Sequence, residues 1–330
     1  MATIKEVAKR AGVSITTVSR ALNNYSDVNV TTKQNILNIC RELNYTPNSL
    51  ARNLALKQSK VIGFLFSDIK ETDMNGNIIF RLLLGARAQC DAQGYELIML
   101  FTNKKEQEKK SLEQLYKERN LGGIVLYGLK TTDPYGREMV NFPYPCVAID
   151  MANAPVTVCT NNDLAVEEII NLFYARGKRH IGMINGAFDA EVSHARESGY
   201  IRAMRKKNLE IPRKNIRYAD FFKEKAYEET KTLLEDCPNI DAIFAASDLM
   251  AIGVMDALQD MGQRIPEDVA VAGIDGIQVG AYLKPALTTV LQDFKEMGRR
   301  AVSLLIDIQA GKQVGYIEYV DYQLLERGSV

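Results

Sequence analysis

From Val61 onward the chain alternates short apolar runs with longer amphipathic stretches, and few architectures accept that alternation. A strand that is apolar at every position must be covered on both faces, as in a parallel sheet flanked by helices. Residues 61–66 (VIGFLF) read as such a strand, with a helix over 78–93 after it. Further strands are expected over 97–101, 123–127 and 146–149. After Asn161, a helix with Val166, Ile169, Ile170 and Phe173 on one face leads into a strand over 180–184. Helices over 195–208 and 225–236, a strand over 241–246, a helix over 249–261 capped by Asp248 and a strand over 269–274 repeat the pattern. The expected class is α/β, with two similar lobes of doubly wound parallel sheet. One lobe covers about 61–160 plus 290–322, including a helix over 294–310; the other covers about 161–289.

In open sheets of this kind, ligands sit beyond the carboxyl ends of the strands. Two facing lobes would bring those ends to both sides of one cleft. Asp68, Asp150, Asn185, Ser247, Asp248 and Asp275 all fall at such ends. A carboxylate there accepts from a pair of hydroxyls, and Arg196, near the start of its helix, donates several hydrogen bonds. The plainer reading of each aspartate is a helix cap. Asp248 is assigned to that role, and Asp275 with Gly276 equally fits a turn.

The first sixty residues are different. The chain's 41 basic and 41 acidic side chains cancel, yet residues 1–60 hold nine Lys or Arg against three acids, Glu6, Asp27 and Glu42. A basic head on an acidic body points to a polyanion-binding end. Thr3 and Glu6 form a capping box ahead of a stripe of Ile4, Val7, Ala8 and Ala11, and Gly12 has the freedom to end that helix. Ser14 then caps a second helix with Val18, Ala21 and Leu22 inward. Thr31 and Gln34 suggest another capping box before Ile36, Leu37, Cys40 and Leu43. Three short helices with a tight turn between the first two describe an all-α helix-turn-helix unit over 1–46. In such a unit the second helix meets base edges: here Ile15, Thr16 and Arg20, the last able to pair with guanine O6 and N7. Thr3, Ser14, Thr17 and Ser19 are suited to phosphate contacts. Pro47 discourages a continuous helix at Thr46, and residues 47–60 read as a hinge and linker. There Asn48 or Ser49 caps a short helix with Ala51, Leu54 and Ala55 on one face.

The run Ala8-x-x-Ala11-Gly12-Val13-Ser14-x-x-Thr17-Val18-Ser19-Arg20-x-Leu22-Asn23 resembles the N-terminal signature of the lactose/galactose repressor family of bacterial transcription regulators. The stretch from Leu43 through Asn44, Tyr45, Thr46, Pro47, Asn48 and Ser49 to Leu54 is similar to that family's hinge. The resemblance extends along the whole chain. It implies a homodimeric DNA-binding regulator, a repressor of carbohydrate genes acting on a near-palindromic operator. It adds Asn23, Asn48 and Ala51 to the DNA-contacting residues, and makes Leu54 a wedge that kinks DNA from the minor groove. It implies a body like a periplasmic sugar-binding protein over 61–330, in which Arg196 and Asp275 bind the effector. Asp150 and Ser247 would meet hydroxyls and Phe221 would pack against the ligand, with His194 a candidate neighbour. Asn is common in the family where this chain has Ser247. The purine-responsive branch has Arg and Thr where this chain has Ala190 and Val192, so a sugar or sugar phosphate is expected. The alternatives are a corepressor-dependent regulator that answers to a non-sugar metabolite, and a protein that only binds or hydrolyses sugar.

Nothing in the chain matches a dinucleotide fingerprint, a phosphate loop, a H-E-x-x-H zinc motif or a G-x-S-x-G elbow, so no catalytic residue, cofactor or metal is expected. Five widely spaced cysteines without a Cys-x-x-Cys pair read as reduced thiols. The first ten residues lack the apolar stretch of a secretory signal, and no apolar run is long enough to span a membrane. A cytoplasmic, nucleoid-associated protein with no membrane partner is therefore expected. No heptad pattern precedes Val330, so a tetramer built on a terminal coiled coil is not expected.

Overall fold

Caps and apolar stripes place the first helices where local rules put them. The computed structural model describes residues 2–22, 25, 27–45, 59–69 and 78–330, in two units, Met1–Ser59 and Lys60–Val330. In the first unit α1 is Ile4–Ala11, α2 is Ile15–Leu22 and α3 is Val30–Glu42. The capping box at Thr3 closes, since Thr3 N donates to Glu6 Oε2 at 2.7 Å and Glu6 N to Thr3 Oγ1 at 3.4 Å. Gly12 ends α1 at φ 67°, and Ser14 Oγ accepts from Thr17 N at 3.0 Å to start α2. The start of α3 differs from expectation. Asn29 caps it, accepting from Thr31 N at 2.8 Å, because the helix begins one residue before Thr31. Val7, Val18, Ala21 and Ile36 are fully buried between the three helices; Ile39 is buried as well, whereas Leu37 is only half-buried.

The second unit contains two six-stranded sheets. In order across the first sheet stand β11 (Ile317–Val320), β5 (Thr157–Thr160), β4 (Cys146–Ile149), β3 (Gly123–Tyr127), β1 (Val61–Ser67) and β2 (Glu96–Thr102), all parallel. Across the second stand β12 (Tyr322–Leu325), β10 (Thr288–Gln292), β9 (Ala270–Asp275), β8 (Ala242–Ala245), β6 (Ile181–Asn185) and β7 (Ile216–Tyr218). Only the β10–β12 pair is antiparallel. The lobe boundary expected at 290 therefore moves to 293. Val290 is fully buried in the second lobe's core and β10 pairs along β9, so 288–292 belongs there, as does β12 from Tyr322. The chain thus crosses between lobes three times: after β5, after β10 and between β11 and β12.

The helices follow the amphipathic stretches. They are α4 (Ile78–Gln93), α5 (Lys104–Gln107), α6 (Leu112–Glu118), α7 (Pro134–Met139), α8 (Asn162–Ala175), α9 (Glu191–Lys206), α10 (Lys223–Asp236), α11 (Asp248–Asp260) and α12 (Phe294–Gln309). Two glycines let α4 and α12 touch backbone to backbone. A Cβ on Gly85 would lie 1.7 Å from Lys295 O, and one on Gly298 would lie 2.0 Å from Leu82 O. This contact seats α12 on the first lobe immediately after the chain leaves β10.

Candidate functional site

Ile15, Thr16 and Arg20 stand together on the outward face of α2. Ile15 is 45% exposed, and Thr16 and Arg20 are also exposed, while Val18 and Ala21 face the core. Thr3 and Ser14 are exposed; Thr17 and Ser19 are half-buried. Ser14 Oγ and Thr17 Oγ1 are 2.8 Å apart. Arg20 is already engaged: Nε donates to Asp27 Oδ1 at 3.2 Å, Nη2 pairs with Asp27 Oδ2, and the guanidinium lies 5.0 Å over the Tyr25 ring. An exposed pair of this kind is cheap to rearrange. Asn23, Asn48, Ala51 and Leu54 lie outside the described residues.

In the body, the strand-end residues converge. Asp68, Asp150, Arg196, Phe221, Ser247 and Asp275 all line one cavity of about 550 Å³ between the lobes. Asp68 and Asp150 follow β1 and β4 of the first lobe; Ser247 and Asp275 stand at the ends of β8 and β9 of the second. Arg196 projects from α9 and is almost fully buried. Its Nε donates to Asn162 Oδ1 at 2.9 Å, Nη1 donates to Ala246 O at 2.5 Å, and Nη2 lies 3.9 Å from Asp275 Oδ1. Burial pushes the Asp150 carboxyl up to about 6, against the opposing pull of the Arg196 charge and a hydrogen bond from Asn162. Burial likewise raises Asp275, again opposed by Arg196.

The backbone around the cavity is held in unusual geometry. Asp68, Asp150, Asp220, Phe221 and Asp275 all have positive φ, from 51° to 140°, and all line the cavity. Such conformations persist only where the surroundings impose them. Phe221 is the clearest case: at φ 62° its ring lies where a Cβ on Gly186 would be, 2.0 Å from Cζ, so that glycine admits the ring.

Some assignments change. Ser247, not Asp248, caps α11, accepting from Met250 N at 3.1 Å, so the hydroxyl expected to meet ligand also serves the helix. Asp248 is fully buried and ties α11 to the second sheet, accepting from Ile277 N at 2.8 Å and Thr289 Oγ1 at 2.5 Å. Asn185 is buried and donates to Ser193 O at 3.2 Å and Glu197 Oε2 at 3.1 Å, outside the cavity lining. His194 is outside it too, edge-on to the Phe188 ring. Gln292, Glu191 and Lys130 line the cavity without having been predicted. Gln292 is the last residue of β10, where the strand-end rule would have found it had 288–292 been read as a strand. Its Nε2 donates to Asp275 Oδ1 at 2.9 Å. Asp150 Oδ1 and Gln292 Oε1 are shut off from solvent and have no hydrogen-bond partner among the described residues.

Across the mouth the lobes touch. Thr131 N donates to Asp189 O at 3.3 Å, Thr132 Oγ1 donates to Asp189 Oδ2 at 3.0 Å, and Lys130 Nζ lies 3.3 Å from Asp189. Asn153 Nδ2 donates to Glu191 Oε1 at 2.8 Å. Among the described residues no cluster of side chains is built to hold a metal ion, and no helix is long and apolar enough to cross a membrane.

A helix-turn-helix unit joined in one chain to a two-lobed body with a cleft between the lobes defines a ligand-responsive DNA-binding regulator. The comparisons agree. Residues 3–48 match the model for bacterial regulatory proteins of the lacI family, and 170–330 match that for the periplasmic binding protein-like domain. The ribose operon repressor of Halalkalibacterium halodurans is 35% identical over 317 residues, 93% of this chain and 90% of that protein. The HTH-type transcriptional repressor PurR of Haemophilus influenzae is 32% identical over 328 residues, 97% of this chain and 94% of the relative. The Lac repressor dimer bound to operator and the anti-inducer ONPF shares the fold, with a TM-score of 0.85 at 24% identity, covering 99% of this chain and 98% of that one. The chain belongs to the lacI family of bacterial regulatory proteins, a family of DNA-binding transcriptional repressors and not of enzymes.

Proposed function

We propose that this chain is a homodimeric repressor of carbohydrate genes, acting on a near-palindromic operator in the cytoplasm, with its affinity set by a small sugar or sugar phosphate held between the lobes. The observation that carries the effector reading is the convergence of Asp68, Asp150, Arg196, Ser247 and Asp275 with Phe221 on one cavity. Acceptors, one guanidinium and an aromatic face together suit a ring bearing hydroxyls. The ribose repressor's name points the same way, and PurR's points to a purine. Ala190 and Val192 line the cavity as apolar side chains and have no means of hydrogen-bonding a purine's edge, which favours the sugar.

On the DNA, Ile15, Thr16 and Arg20 would read bases while Thr3, Ser14, Thr17 and Ser19 meet phosphates. Asn23, Asn48 and Ala51 belong with these contacts, and Leu54 with the minor groove. Dimerisation is supported by an apolar face on one edge of the first lobe. Phe80 and Leu84 on α4, with Met99 and Phe101 on edge strand β2, are 45–61% exposed. Ligand would bias the angle between lobes and so couple the cleft to the operator; couplings of ~1–3 kcal/mol change affinity by ~5–150-fold. The test is an operator selected from random duplexes, followed by anisotropy titrations with and without sugars, sugar phosphates and purines. A preferred, near-palindromic site whose affinity moves with a sugar-type ligand is the expected result. No preference for any duplex overturns the repressor reading, and a response confined to purines overturns the sugar.

A further inference from the structure

We infer that the effector is an uncharged polyhydroxyl compound and that the cleft excludes phosphate esters. The inference rests on the sugar reading above and decides between its two chemical forms. Five carboxylates (Asp68, Asp150, Glu191, Asp220 and Asp275) stand among the described lining residues, against two cations, Lys130 and Arg196.

Both cations are engaged. Arg196 donates to Asn162 and Ala246 and faces Asp275, while Lys130 pairs with Asp189. Two of the positive helix ends beside the cavity are also taken, while that of α4, whose Ile78 and Ile79 line it, has no acid in its first turn. Glu191 occupies the first turn of α9 and Asp248 that of α11, so neither N-terminus offers an anion an uncompensated dipole. A phosphate would meet, among the described lining residues, a net charge that repels it.

The orphaned acceptors set the polyhydroxyl half of the inference. Asp150 Oδ1 in the first lobe and Gln292 Oε1 in the second are buried without partners among the described residues, and a buried acceptor left unpaired is costly. The ligand must therefore bring donors to both lobes at once. Sugar hydroxyls supply such donors, whereas a fully ionised phosphate group in their place would only accept. A cavity of about 550 Å³ has room for one or two sugar rings.

The experiment is titration calorimetry of the full chain with pentoses, hexoses and disaccharides, each paired with its phosphate ester, such as ribose with ribose 5-phosphate and glucose with glucose 6-phosphate. The tightest binder is expected to be uncharged, with its ester at least tenfold weaker. Asp150→Asn is expected to narrow that ratio by removing one repelling charge, while weakening the sugar itself. An ester that binds as tightly as its parent sugar, or tighter, overturns the inference and leaves the sugar reading standing. Silence across sugars and esters alike removes the sugar reading and this inference with it.

Discussion

The exposed face of α2, proposed to meet DNA, and the cleft of the body, proposed to hold the effector, are built in opposite ways. On α2 the recognition side chains stand on a regular helix, exposed, and are held by contacts as light as the Arg20–Asp27 pair. In the cleft Arg196, Ser247 and Asp275 are buried, five lining residues sit at positive φ, and two acceptors are left without partners among the described residues. The difference follows from what arrives. A duplex is a stiff polyanion that draws in a basic surface by charge and brings its own order, so the protein need only offer donors. A small ligand brings neither reach nor rigidity, so the cleft must be shaped beforehand. The resulting strain and unpaired groups cost stability until the ligand relieves them.

That contrast breaks or sharpens under four measurements. The largest effect concerns salt. Operator affinity should fall by ~10³–10⁵ between 50 and 200 mM salt if ~6–10 phosphates are contacted. Effector affinity measured by calorimetry should hardly move over that range; a steep salt slope for the effector would erase the distinction. Next, Arg196→Ala leaves Asp150 and Asp275 without the cation that both face, and should weaken effector binding by at least about a hundredfold, the scale of losing a buried charged partner. Operator binding by the ligand-free protein should persist in a gel-shift assay. Arg20→Ala should flatten the preference at one base pair per half-site by ~1–3 kcal/mol in a selection experiment, leaving effector affinity unchanged. The smallest effect tests the cost of shaping the cleft. Asp150 is raised from 3.8 to about 6, so between those values the folded state holds the extra proton. Its penalty is fully present above pH 6 and fades as pH falls towards 4. Asp150→Asn should therefore raise the ligand-free Tm at pH 7.5, by on the order of 1 kcal/mol of stability, and give no gain near pH 4.

Local rules explain how much of this was legible in advance. The Thr3 box, the Gly12 turn and the α2 face depend on residues three or four positions apart, so the sequence showed them directly. Asp68, Asp150 and Asp275 were found because each follows an apolar run that could only be a strand. What stayed hidden depends on distant partners. Ser247 and Asp248 are both good caps, and Thr289, 41 residues from Asp248, settles which one bends away to tie the sheet together. Gln292 escaped notice because 290–292 is assigned to the first lobe on sequence and not to a strand, although the pairing of β10 with β9 keeps it in the second sheet. Nothing near Phe221 announces its backbone conformation; the space that receives its ring is made by Gly186, far earlier in the chain.

The triple passage of chain between the lobes has a mechanical consequence. Two bodies joined by a single tether can swivel, slide and twist, but three neighbouring straps, set side by side by the Thr160–Val320 and Gln292–Tyr322 pairings, would remove most of those freedoms and favour a hinge. A ligand of a dozen or so atoms then needs to bias a single coordinate. Its modest binding energy is concentrated on that door-like swing and is not scattered over motions that nothing downstream could read.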